Sequence, residues 1–359
     1  MRYCVALIFC CIQIASQAQK IEPGFNKQEY LMLLKLFIRY YPNTIKNFIA
    51  FDSSNGYKLL YSSPVIGLDN KYELWQNGNI AAVVIRGTTA KTISWMENFY
   101  AAQVAATGSM ALDSNYTFNY KLANNNRAGV HIGWLIATGC IAQLLQPQLD
   151  SMFKNGVKNV YIFGHSQGGA IAYLLSAYLK YVQTDGKFPN DVLLKTYCSA
   201  APKPGNLFFA YDFEQAMGLG WCYNIINPYD WVPETPISIQ TLGDFNGTNP
   251  FKNAKKLLSK QPFPKDVVLK YAFNQLSNPP KRAVKKYERY LGNFAAKAVK
   301  KSLPYFVPPT YLKSINYVRT SNQVVLKPTE QYLKLYPESD DKIFIHHSPE
   351  AYAYLMQNY

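Results

Sequence analysis

The run VYIF, then Gly164, His165, Ser166, Gln167 and Gly168, then GAIAYLLSAYL, joins an apolar strand to a dense apolar helix through a five-residue turn. Such a join is steric: a side chain at Gly164 or Gly168 would collide with neighbouring elements, so glycine at both positions permits a sharp, strained apex. The apex residue, Ser166, then presents its hydroxyl to solvent. Behind it the helix start contributes an electropositive end and the unpaired backbone N–H of Gln167, a setting suited to an oxyanion formed in acyl transfer. Strand, turn and helix in register therefore predict an α/β fold with a serine nucleophile.

The flanking sequence extends the alternation. Asn26 and Glu29 resemble a capping box opening a helix over 30–39, and the runs 72–75 and 80–86 flank an Asn77-Gly78 turn, as in a hairpin feeding the core. Residues 132–152 read as a helix, 157–163 as a buried strand and 170–181 as a helix, an order that implies a mostly parallel central sheet flanked by helices. The β-rich runs 192–198 and 221–226 each precede a proline-bearing loop, where the carboxyl ends of parallel strands carry chemistry. From about 251 to 328 the composition turns lysine-rich and helical, broken by Pro279, Pro280, Pro304, Pro308 and Pro309, which reads as an insertion. A strand-like piece over 342–345 and a helix over 348–357 then close the domain.

Charge supports that division. The chain of 359 residues carries a formal charge of +15, and 252–327 holds seventeen Lys and Arg against Asp266 and Glu288, so the whole excess sits there. With 48% hydrophobic and 16% charged residues the chain has material for a large core, which excludes a disordered polymer. Residues 1–18 carry Arg2, an apolar run too short to span a bilayer, and the small residues Ser16 and Ala18, which reads as a secretory signal peptide. The domain is expected over 19–359, in a secreted or periplasmic, cell-envelope location. Cys140, Cys198 and Cys222 then remain, an odd number that allows at most one bridge, Cys198 to Cys222. His131, His165, His346 and His347 lack zinc-type Cys/His spacing, so no metal is expected, and acyl transfer through a serine calls for no organic cofactor.

A serine nucleophile needs a general base and an orienting acid, and in this kind of fold they follow it in the order Ser, Asp or Glu, His. Downstream of Ser166 the only histidines are His346 and His347. Asp230, in NPYDWVP after an apolar run, would be presented at the working edge of the sheet, with Glu234 in reserve.

Several strings together resemble the class 3 lipases, α/β-hydrolases that cleave acyl esters at lipid surfaces. VVIRGTTAKTISWMENF is similar to the family's strand, Arg-Gly-Ser/Thr turn and lid segment, VHIGW to its His-x-Gly-aromatic element, and GHSQGGA to its nucleophile motif. TYCSAAPKPGN, NIINPYDWVPETP and HHSPEAY follow in the family's order. The resemblance covers about 72–230 and 342–359. It implies Ser166 as nucleophile, Asp230 as orienting acid, and Thr88 with Gln167 as oxyanion donors. The family's spacing of histidine to a following aromatic selects His347, with Tyr352, as base. Two departures bear on the pocket: the long gap from Asp230 to His347, and Cys198 with an extra residue where the family has glycine.

The expected function is hydrolysis of carboxylic esters of fatty acids through an acyl-enzyme, as in a triacylglycerol lipase. The alternatives are a phospholipase or other acyl esterase on the same triad, and an inactive lipid- or surface-binding relative. The expected partner is a lipid or ester substrate, at a membrane or micelle interface; no nucleic acid and no obligate protein partner is indicated. His131 and His165 read as bracing residues. Trp95, Met96, Phe99 and Tyr100 fit either a mobile lid or a core helix, and the lysine-rich segment with its interleaved aromatics fits either a solvated cover or an anionic lipid interface.

Overall fold

The computed structural model describes residues 20–41 and 56–359; the segment 1–18, read above as a signal peptide, lies outside them. The chain opens with α1 (Lys27–Ile38), β1 (Lys58–Ser62), β2 (Tyr72–Asn77), β3 (Ile80–Ile85), α2 (Thr92–Phe99), β4 (Gln103–Ala105), β5 (Thr107–Ala111), β6 (Thr117–Lys121) and β7 (Gly129–His131). Then come α3 (Ile132–Lys154), β8 (Asn159–His165), α4 (Gln167–Thr184), β9 (Leu193–Ser199), α5 (Leu207–Met217) and β10 (Cys222–Ile226). The basic region forms α6 (Ala254–Leu258), α7 (Lys265–Tyr287), a π-helical turn Glu288–Phe294 and α8 (Ala295–Ser302), before β11 (Asn322–Val325), α9 (Glu330–Leu335) and α10 (Pro349–Gln357).

Seven strands form one sheet in the order β1-β2-β3-β8-β9-β10-β11. The first three are antiparallel and the remaining pairings parallel, with Ile85 beside Gly164 and His165 beside Ser199. Side chains alternate across a strand, so a sheet covered on both faces needs apolar residues at every position. β3 meets this demand: Ala81, Val83 and Ile85 pack with α3 and α4 on one face, while Ile80, Ala82 and Val84 pack with α1 and α10 on the other. Asn26 caps α1, its side chain accepting from the backbone of Gln28 and Glu29. Glu29 pairs with the buried Lys195 at 2.6 Å, which fixes α1 against β9.

Four local expectations are corrected. Residues 342–345 are a turn running into a 3-10 helix, Ile345–His347, and form no strand. The sheet edge beside β10 is already filled by β11, which lies inside the interval 251–328 read as insertion; its sequence NQVV is too short and polar to show a strand period. Pro279 and Pro280 do not break α7. The carbonyls their missing N–H groups leave unbonded belong to Gln275 and Leu276, both exposed residues on the solvent side of the helix. Cys198 and Cys222, on adjacent strands, are buried free thiols and not a bridge.

Candidate active site

The parallel strands end at one edge of the sheet, and the chemistry-bearing residues gather there. At the end of β8 the chain turns through Ser166, at φ 61° and ψ −131°, into α4. A Cβ at Gly164 would come within 2.0 Å of the Gly168 carbonyl oxygen, and one at Gly168 within 2.5 Å of the Ile85 oxygen. No side chain fits at either position, so the motif's glycines are what let the strand turn this tightly.

Ser166 Oγ lies 2.7 Å from His347 Nε2, and His347 Nδ1 lies 2.7 Å from Asp230 Oδ2. The carboxylate can only accept, so Nδ1 carries the proton and Nε2 is left to accept from the serine hydroxyl. Asp230 sits in the loop after β10, buried, with Oδ1 accepting the backbone N–H of Val232 at 3.0 Å. Its Oδ2 also accepts the Tyr352 hydroxyl at 2.8 Å. His346 points elsewhere, its Nδ1 2.8 Å from the Tyr332 hydroxyl. Glu234, the reserve acid, lies in the 3-10 turn Val232–Glu234 and makes no contact with His347.

A second chain of hydrogen bonds holds His347 from its backbone. His165 Nε2 donates to the His347 carbonyl oxygen at 2.8 Å, and its Nδ1 accepts from Ser199 Oγ at 3.0 Å, which in turn accepts from the Tyr30 hydroxyl at 2.8 Å. Burial, with the neighbouring His347 ring, pushes the pKa of His165 down to about 3, so it stays neutral in this bracing role. His131 is also buried, which lowers its pKa to about 3. Its Nδ1 accepts the Trp134 N–H at 3.3 Å and its Nε2 donates to the Asn98 carbonyl at 3.1 Å, far from any part in proton transfer.

Thr88 follows β3 and faces the same cavity as Ser166 and Gln167. Its Oγ1 accepts from Asn98 Nδ2 at 3.0 Å, which turns its own O–H toward a ligand. Asn98 is itself held by Trp134 Nε1 at 2.9 Å. The Gln167 backbone N–H is the first of α4 and has no partner within the helix. The Gln167 side chain turns away, donating to Glu97 Oε1 at 2.8 Å, and Glu97 Oε2 accepts from Asn70 Nδ2 at 2.7 Å. Glu97 is fully buried, which raises its pKa well above the carboxylate range. So α2 turns Ser94 and Glu97 to the core and Trp95 and Phe99 to the cavity.

The cavity measures about 550 Å³ and its lining is mostly apolar. Phe344 packs between Trp231 and Trp95, with ring centroids 5.4 and 6.0 Å away. The basic region supplies Tyr287 and Leu291 to the wall. There the widened π turn directs the Leu291 carbonyl to the Ala102 N–H, at 3.0 Å.

The sequence profile of the class 3 lipases matches residues 82–239, from β3 past the Asp230 loop. Over this segment, somewhat under half of its length, the chain is similar to the class 3 lipases. The match supports a carboxylic ester hydrolase, and the sheet, mostly parallel and flanked by helices, has the arrangement of the α/β-hydrolases. The matched segment contains Thr88, Ser166, Gln167 and Asp230, whereas His347 lies beyond it. No curated protein sequence matches the chain. Among solved structures it is similar to the Lip2 lipase of Yarrowia lipolytica, at 21% identity over 60% of this chain and 77% of that one, with a TM-score of 0.43. The Rhizomucor miehei triacylglyceride lipase matches at 19% identity over 60% and 77%, with a TM-score of 0.43. A triacylglycerol lipase from Penicillium expansum matches at 17% identity over 59% and 74%, also with a TM-score of 0.43.

The sequence did not single out Asn98, Glu97, Ser199 or Tyr30. One signal was present for Glu97, a lone acid in the apolar run SWMENF. Ser199 and Tyr30 are brought to His165 only by the folding of β9 and α1, and no local pattern announces them.

Proposed function

We propose that this chain cleaves carboxylic esters of fatty acids, in the manner of the class 3 lipases, through an acyl-enzyme on Ser166, with His347 as general base and Asp230 as its orienting acid. One observation carries the reading: the hydrogen-bonded series from Ser166 to His347 to Asp230 opens on an apolar cavity of about 550 Å³. His347 Nε2 takes the hydroxyl proton as Oγ attacks the ester carbonyl carbon, and Asp230 stabilises the imidazolium formed. The tetrahedral oxyanion receives hydrogen bonds from the Gln167 N–H and the Thr88 hydroxyl, and loss of one such donor typically costs about 2.7–4 kcal/mol of barrier stabilisation. His347 then returns the proton to the leaving alkoxide. Water, deprotonated by the same imidazole, attacks the acyl carbon and releases the acid.

The apolar lining supports an acyl chain over a small polar acid, since few polar groups face the space beyond the nucleophile. Hydrolysis of p-nitrophenyl esters from short to long chain tests the reading. Turnover by the native chain, lost by several orders of magnitude in Ser166→Ala and in His347→Ala, supports it; undiminished turnover in Ser166→Ala overturns it. The reading includes export with removal of 1–18, and amino-terminal sequencing of the protein from its native host, starting at Gln19, is the expected result.

A further inference from the structure

A helix that only covers a core turns its apolar residues inward. α7 turns only part of its apolar residues inward: of its 23 residues only Ser277 and Val284 are fully buried. Val267, Val268, Tyr271 and Leu276 are exposed, Leu276 by 78%. The loop before α7 exposes Phe263 by 85%, and the π turn after it exposes Tyr290 and Phe294. Exposed apolar groups on this scale mark an interaction surface. Between them stand exposed cations, among them Lys265, Lys281, Arg282, Lys285 and Lys286, in the one region that holds the chain's entire excess of positive charge.

We propose that the α7–π–α8 face docks on an anionic phospholipid surface. Lysines that reach outward from apolar surface meet lipid head groups while aromatic and aliphatic side chains enter the boundary between head groups and acyl chains. The same segment lines the cavity with Tyr287 and Leu291, so the docked face is continuous with the site that holds Ser166. Nucleic acid is the weaker fit, because its interfaces are wet and polar and leave exposed valine, leucine and phenylalanine without a partner. The inference does not require Ser166 to be catalytic.

The test uses the full chain carrying Ser166→Ala, so that lipid is not consumed. It is sedimented with vesicles of phosphatidylcholine alone, and of phosphatidylcholine with phosphatidylglycerol, at low and high salt. Binding to the anionic vesicles at least tenfold tighter than to the neutral ones, and weakened by salt, is the expected result. Replacing Lys281, Arg282, Lys285 and Lys286 together with glutamine should lower that binding at least tenfold. Replacing Val267, Val268 and Tyr271 with serine should lower binding to both vesicle types. In chains that keep Ser166, both sets should leave hydrolysis of a water-soluble short-chain ester unchanged, which shows that the variants fold. Equal binding to both vesicle types, undiminished binding by the glutamine variant, or tighter binding to duplex DNA than to anionic vesicles overturns the proposal.

Discussion

The Tyr352 hydroxyl and the His347 imidazole share a single oxygen, Asp230 Oδ2, at 2.8 and 2.7 Å. Tyr352 comes from α10 and Asp230 from the loop after β10, so the last helix of the chain supports the carboxylate that holds the His347 ring. The same hydroxyl accepts the Asn227 backbone N–H at 3.1 Å, tying the start of the loop to the helix.

Tyr352→Phe should therefore remove both hydrogen bonds of that hydroxyl without emptying the site. A hydrogen bond to a charged group is worth about 1.5–3 kcal/mol, so kcat/KM should fall about ten- to a hundredfold, with loss of stability from the orphaned Asn227 N–H. Steady-state kinetics and urea denaturation of the variant check this; unchanged kcat/KM would contradict the role.

Glu97→Ala should act on the other side of the nucleophile. It takes an acceptor from the Asn70 side-chain amide and one of two from that of Gln167, which keeps the Ser94 carbonyl, and opens a void beside α2. Each orphaned buried group costs about 1–3 kcal/mol, so a loss of about 2–5 kcal/mol in unfolding free energy is expected. Because the proposed cycle takes an oxyanion donor from Gln167, kcat should fall more than KM rises, and a variant with native kinetics would count against the link.

Leu291 lines the acyl cavity from the basic region. Leu291→Trp should reduce turnover of long-chain esters relative to short ones at least tenfold, and Leu291→Ala should shift preference toward longer or bulkier chains. A uniform change across chain lengths would place Leu291 outside the acyl path.

Acid should destabilise the fold through its buried imidazoles. His131 and His165 have pKa values lowered to about 3, against about 6.5 in an unfolded chain. Between those values the unfolded state binds protons that the folded state does not, so stability is full above the unfolded value and falls with pH by about 1.4 kcal/mol per unit for each histidine. Glu97, whose pKa is raised, acts in the opposite sense and offsets part of this. His131→Asn keeps a capping side chain at α3 and removes one titrating group. Its unfolding free energy, measured from pH 6.5 to 4.5, should be less steep by about 1.4 kcal/mol per pH unit. An unchanged slope would contradict the assignment.

What the sequence showed and what it hid follow from how each feature is encoded. The nucleophile turn was legible because sterics demand glycine at 164 and 168, and the buried runs of β3 and β8 were legible because both faces of the sheet are covered. β11 was hidden, since NQVV at a sheet edge needs neither periodicity nor strong β-formers, while KIFI resembles a strand but serves the cavity through Phe344. Pro279 and Pro280 misled because the rule against helical proline assumes the freed carbonyls cannot reach water. The support of His347 by His165, Ser199 and Tyr30 spans residues 30 to 347 and exists only in the folded chain.

The most direct test of the account is a fluorophosphonate probe followed by mass spectrometry of the digested chain. One adduct, on Ser166, formed at a rate greatly reduced in His347→Ala and in Asp230→Asn, is the predicted result. An adduct on another residue, or labelling of Ser166 at an equal rate without His347, would contradict the account.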